Sequence, residues 1–291
     1  MQLRQETLGI LAMLAASLFY LLGDTVVKTL TVTIPAPQII AMRGLMTSLL
    51  VMIAICAAGL LREWYKMLQP SVLFRAALDG GATLCFTAAL AHMRIADATA
   101  VINAAPVAAT IIAILVLREQ VSLQRWLTTV GGFVGVLLVL RPDTSGLNVF
   151  GLLAIAAMLM VAIREVVTRG IAPTVPALVI TLCSTLTVAC VGSIATLFFN
   201  ELVPPTQGEL GLVAISSFFL FGAYYLSVLA LRNGEVSLVG PFRYAVILWA
   251  LIMGFIVWGD IPEPIGLAGM ILIAACGLFV FRSEYRRTRK S

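Results

Sequence analysis

Charge is what this sequence has least of. Only 11% of its 291 residues are Asp, Glu, Lys or Arg, while 61% are hydrophobic; an average soluble domain is about a quarter charged. A chain so poor in charge cannot clothe itself for water, which excludes a soluble globular protein of this length. Histidine is almost missing as well. His92 stands alone at the end of an apolar run, which argues against a metal site, a proton wire or a serine hydrolase built on it. The sequence contains no Gly-Lys dipeptide, so it has no phosphate-binding loop and no ATPase of its own. Its cysteines, Cys56, Cys85, Cys183, Cys190 and Cys276, show no metal-ligand spacing and read as packing residues. No cofactor and no metal are expected.

Long apolar runs are what is present. A helix needs about 20 mostly apolar residues to cross a hydrocarbon core of roughly 30 Å. Ten stretches qualify: 8–30, 37–61, 74–92, 98–117, 126–140, 150–168, 176–199, 210–231, 237–258 and 265–281. The fifth is the shortest and needs upstream residues from the Ser122 turn. The runs lack the period-two alternation of a membrane barrel. Pro35, Pro70, Pro142, Pro173, Pro204, Pro205, Pro262 and Pro264 fall between them, where a missing backbone donor harms no helix. The fold class is therefore an all-α integral membrane protein of ten transmembrane helices, its first apolar run retained as a span.

Positive residues stay on the cytoplasmic side. With the amino terminus inside, thirteen Lys and Arg residues collect there, including Arg282, Arg286, Arg287, Arg289 and Lys290 of the tail, against three outside, Lys28, Arg94 and Arg141. Both termini are thus expected in the cytoplasm. The net charge of +5 is this signature and no nucleic-acid surface; the bilayer and a small solute are the expected partners.

The chain also repeats itself. Gly9-Ile-Leu-Ala and Asp24-Thr-Val-Val-Lys28 in the first run match Gly151-Leu-Leu-Ala and Glu165-Val-Val-Thr-Arg169 in the sixth, with acid and base at i, i+4 in both. Arg94-Ile-Ala-Asp97-Ala-Thr99 is echoed by Arg232-Asn-Gly-Glu235-Val-Ser237. Halves with an odd number of spans must be inverted relative to one another, an architecture common in secondary transporters. The expected division is 1–142 and 143–291.

The stretch Arg94 to Pro106, then Leu117-Arg-Glu119 and Gly131-Gly-Phe-Val-Gly135 to Pro142, resembles the repeat of the drug/metabolite transporter superfamily, in its ten-helix EamA-like branch. The second copy departs by carrying Pro241-Phe-Arg243-Tyr244 at the place of Asn103-Ala-Ala-Pro106, and Asp260 at the place of Glu119. The resemblance implies alternating-access transport of amino acids, nucleotide-like compounds, vitamins or other metabolites across a bacterial inner membrane. The chain is similar to bacterial exporters of amino acids and related metabolites, and also to carriers that take up riboflavin or S-adenosylmethionine.

Ionisable residues within a bilayer mark a function or a specific pair. Asp24, Lys28 and Arg43 are expected near the outer ends of their helices, and Asp79, Arg164, Glu165 and Arg243 near inner ends. They are read as two gating layers of ion pairs, with snorkelling to the headgroups as the alternative for Lys28, Asp79 and Arg164. Arg43 and Arg243 lie about two turns, near 9 Å, inside their helices. Between the layers, Ser17 and Tyr20 share the face of Asp24, Phe86 shares that of Asp79, and Asn103 lies on a polar stripe of the fourth run. Tyr224, Tyr225, Tyr244 and Trp249 add aromatic surface. These eight are the candidate substrate-binding residues. Pro106 and Gly240-Pro241, inside corresponding helices, are candidate hinges. A channel is the alternative, and the inverted repeats and hinge-like helices favour a carrier over it. An intramembrane aspartyl enzyme using Asp24 and Asp79 is disfavoured, because these fall near opposite faces.

Overall fold

The computed structural model describes residues 2–105, 108, 112, 123–140, 148–172, 174–199, 202–233, 242 and 244–288. Among them there is no strand. The α-helices are α1 (Gln2–Leu30), α2 (Ala36–Ala57), α3 (Pro70–His92), α4 (Ile95–Ile102), α5 (Leu123–Leu140), α6 (Val149–Arg169), α7 (Ala177–Phe199), α8 (Gln207–Asn233), α9 (Ala245–Trp258) and α10 (Pro264–Thr288). Six of them, α1, α2, α3, α6, α7 and α8, are long and apolar enough to cross a bilayer, and α5, α9 and α10 contain shorter apolar stretches. Half of the fourth expected span lies outside the described residues, and so does the start of the ninth. Pro106, Gly240, Pro241 and Arg243, and the side chain of Glu165, also lie outside them.

Two prolines expected between spans start helices instead. Pro70 and Pro264 open α3 and α10; proline suits a first helical position because its missing N–H has no intrahelical partner there. Between α2 and α3 a 3-10 helix, Leu61–Leu68, presents Leu61, Trp64, Tyr65 and Leu68 to the outside. Too short to register as a span, it has the composition of an interfacial segment.

The bundle is apolar outside, and its largely apolar core encloses a minority of polar side chains. On α5 the exposed residues Leu127, Val130, Val134 and Leu137 recur at spacings of three and four, which makes one helix face a lipid stripe. Ser17, Thr47, Ser48, Asp79, Thr99, Ser184, Thr185, Ser216 and Ser217 are buried instead. Many hydroxyls in this interior bond back to their own helix or across to a neighbour, while those of Thr25 and Thr99 are buried without a protein partner. Thr47 donates to the Arg43 carbonyl at 2.7 Å, and Ser48 to Gly44 at 2.7 Å and to the Thr185 hydroxyl on α7 at 2.9 Å.

Without a hydrophobic drive between helices in lipid, close packing holds them. A methyl group at Gly192 would sit 2.5 Å from the Ala41 nitrogen, and one at Gly44 2.7 Å from the Ala189 nitrogen, so α2 and α7 touch backbone to backbone. Gly135 serves α5 and α10 in the same way, a methyl there falling 2.8 Å from Ile273.

The principal pairings are α1 with α8, α2 with α7, α3 with both α6 and α7, and α5 with α10; the shorter α4 packs mainly on α9. Each joins a helix before residue 142 to one after it. Lys28 donates to the Met93 carbonyl, and His92 stacks on Phe150 at 3.9 Å, so the ends of α1 and α3 meet the start of α6. Arg75 at the start of α3 meets Thr168 at the end of α6, 2.9 Å apart. α6 therefore runs opposite to α1.

Candidate functional site

Three polar or aromatic layers lie along the seam of α1, α2, α3, α6 and α8. The first joins α1 to α2. Arg43 Nη1 donates to Asp24 Oδ1 at 3.2 Å, with side-chain exposures of 12% and 24%. Asp24 thus pairs across helices and not with Lys28, as the i, i+4 spacing suggested. Such a spacing is worth only about 0.3–0.5 kcal/mol, and Lys28 has other partners. It lies over the Trp258 ring, 4.9 Å from its centroid, as well as on Met93. Arg94 bonds Asp97 at 2.6 Å nearby and reaches the Ile261 carbonyl at 3.5 Å. This end of the bundle is stitched from α1, α3 and α4 to the segment after α9.

The second layer is aromatic. Tyr20 on α1 meets Tyr224 on α8 edge to face at 5.8 Å, and Phe19 meets Phe219 at 5.3 Å. Both pairs lie in the preferred range for aromatic contact. Tyr20 stands one turn before Asp24 on α1, and Asp79 lies in the first half of α3, whose far end meets Lys28, so the aromatic pair falls between the charged layers.

The third layer is built on Asp79, 5% exposed. Arg164 Nη1 reaches its Oδ1 at 2.5 Å and Arg75 Nη1 its Oδ2 at 2.9 Å. Arg75 also donates to Ser184 at 2.6 Å and through Nε to Thr168 at 2.9 Å, and Thr168 donates to the Arg164 carbonyl at 2.6 Å. Asp79 and Arg164 are therefore tied into α3, α6 and α7 and do not simply snorkel. Arg75 is not among the candidates read from the sequence; its i, i+4 spacing to Asp79 is the available signal. Ser184 and Thr168 had none, since their contacts cross from α7 and α6.

The other candidates divide. Ser17 is buried and turns its hydroxyl to the Leu14 carbonyl at 2.8 Å. Asn103 caps α4, its amide donating to the Thr99 carbonyl at 2.8 Å. Phe86, Tyr244 and Trp249 pack against the main core, where the Trp249 indole nitrogen is buried without a protein acceptor. Tyr225 is 61% exposed and does not join Tyr224 in the Tyr20 contact, because adjacent helical residues point about 100° apart. Asp24 and Asp79 engage different arginines in different layers, so they form no catalytic dyad. Among the described residues no group of His, Cys, Asp and Glu side chains could hold a metal.

The sequence matches the EamA-like transporter family over residues 7–141 and again over 150–282. The chain belongs to that family. It is a multi-pass membrane transporter, matched twice along its length. It is similar to the pseudopaline exporter CntI of Pseudomonas aeruginosa, 25% identical over 283 residues, 95% of this chain and 96% of that one. It is similar also to the S-adenosylmethionine uptake transporter of Rickettsia prowazekii, 25% identical over 194 residues, 65% of this chain and 64% of that one. The riboflavin transporter of Rhizobium johnstonii is 26% identical over 205 residues, 70% of this chain and 68% of that one. A crystal structure shares the fold with a TM-score of 0.64 at 18% identity, covering 97% of this chain and 99% of that one.

Proposed function

We propose that this transporter is a secondary carrier that exports amino acids and related small metabolites from the cytoplasm by alternating access. The carrying observation is the stack of layers: Asp24 with Arg43, Tyr20 with Tyr224, and Asp79 with Arg75 and Arg164, along a seam closed by charge at both ends. Solute occupies the aromatic middle, lined also by Phe86, Asn103, Tyr244 and Trp249. The charged layers, with Glu165 and Arg243, open in turn. Two five-helix halves, 1–142 and 143–291, rock against one another, with Pro106, Gly240 and Pro241 as hinges. The reciprocal pairing of α1 with α8 and α3 with α6, and the twofold family match, support these halves. Export from a bacterial inner membrane, both termini cytoplasmic, is supported by the similarity to CntI, which spans 95% of this chain.

A second reading, uptake of S-adenosylmethionine or riboflavin, is supported by the similarities to those carriers over 65–70% of the chain. Proteoliposome flux of labelled amino acids, S-adenosylmethionine and riboflavin, driven in each direction, separates the two. Amino-acid flux is expected. Flux of the vitamin alone overturns the first reading in favour of the second.

A further inference from the structure

The two charged layers differ in how completely their donors are used. Among the described residues no buried side-chain atom of the Asp79 layer lacks a partner, whereas Arg43 spends one nitrogen on Asp24 and leaves Nε and Nη2 buried without any protein acceptor. A buried, cationic donor left unpaired is costly, more so within a bilayer. Nε and Nη2 together form one edge of the guanidinium, and that edge matches a carboxylate through two parallel hydrogen bonds. The bond to Asp24, at 3.2 Å, is long for a charge-assisted contact, which ordinarily falls near 2.7–2.9 Å; it holds the arginine without saturating it.

The surroundings fit a head-group receptor. Gly23, beside Asp24, has no side chain where Nη2 lies: a methyl there would be 2.7 Å from that nitrogen, 3.4 Å from the Ser216 carbonyl and 3.5 Å from Phe219. Asp24 supplies a carboxylate next to the guanidinium, and Tyr20, one turn earlier on α1, begins the aromatic layer. Resting on the amino-acid reading above, we infer that Asp24 and Arg43 receive the head group of an α-amino acid. The Nε and Nη2 edge of Arg43 takes the carboxylate, Asp24 takes the ammonium, and the side chain extends toward Tyr20 and Tyr224. In the present arrangement α1 and α8 cover the fork; their separation admits the solute. The Asp24–Arg43 layer thus binds the head group as well as closing its end of the seam, whereas the Asp79 layer only closes.

The test uses the purified full-length protein in proteoliposomes, with labelled L-phenylalanine, S-adenosylmethionine and riboflavin as flux probes. The first two carry the head group; riboflavin lacks it. Unlabelled L-phenylalanine, L-phenylalaninamide, phenethylamine and 3-phenylpropionate then compete with whichever head-group probe is carried. At least tenfold weaker competition is expected whenever the carboxylate or the ammonium is missing, with wild-type protein throughout. R43K, which keeps the charge but loses the fork, is expected to weaken competition by L-phenylalanine at least tenfold and to leave that by phenethylamine unchanged. Amide and amine competing as well as the acid overturn the head-group assignment while leaving the amino-acid reading in place. Flux of riboflavin alone, or of none of the three probes, overturns both.

Discussion

Asp24 and Asp79 are both carboxylates on apolar helices facing arginine, yet the structure treats them differently. Asp79 has an arginine on each oxygen, and one of them, Arg75, is braced by Ser184 and Thr168. Asp24 has a single contact, to an arginine with buried nitrogens to spare. A saturated network in low dielectric is rigid and collapses when one member is removed, because its partners become stranded charges. An unsaturated one is poised to accept something from outside the chain. Stability and transport should therefore separate between the two layers.

The largest effect is expected at Asp79. Asp79→Ala strands Arg75 and Arg164, and loss of one partner in a buried ion pair costs about 3–5 kcal/mol; thermal unfolding of the detergent-purified protein should show a large fall in melting temperature. A milder result, equal to that of Asp24→Ala, would erase the contrast between the layers. Next comes packing. Gly192→Val places atoms where Ala41 backbone already lies, and overpacking of this kind costs about 1–3 kcal/mol, to be read from the same melting curves and from a matching fall in flux.

Arg43→Gln sharpens the comparison from the other side. It removes one long contact and two unpaired donors, so its melting temperature should fall less than that of Asp79→Ala while initial flux drops tenfold or more. Smaller again is the difference within the adjacent tyrosines. Tyr224→Ala, which empties the Tyr20 contact, should lower flux several-fold, whereas exposed Tyr225→Ala should change it less than twofold; equal losses would place Tyr225 on the pathway. Least of all, Lys66→Ala breaks a pair with Glu63 at the periphery, where such pairs are worth about 0–1 kcal/mol, and melting should barely move.

How far the sequence reveals this arrangement depends on the range of the contact. Apolar run lengths are a local property, and the six long helices follow from them directly. The aromatic and charged residues of the seam are visible as unusual residues on apolar helices, which brought Tyr20, Asp24, Arg43, Asp79, Arg164 and Tyr224 to notice. Their partners are set by helix packing and are not local. Asp24 could bond Lys28 on its own helix, but α2 brings Arg43 to it. Ser17 shares the right face by spacing, yet a hydroxyl within reach of its own helix carbonyl turns inward. Tyr225 carries the same chemistry as Tyr224, and only the direction of α1 against α8 tells them apart. The one missed member that spacing could have supplied is Arg75, four residues before Asp79.

A carrier differs from a pore in binding its solute on alternate sides, and counterflow reads that difference directly. Proteoliposomes loaded with unlabelled L-phenylalanine and diluted into a trace of the labelled compound should transiently accumulate label above its equilibrium level, because exchange through the occupied carrier outruns net loss. Label that rises smoothly to equilibrium, with no overshoot, would contradict alternating access through these layers.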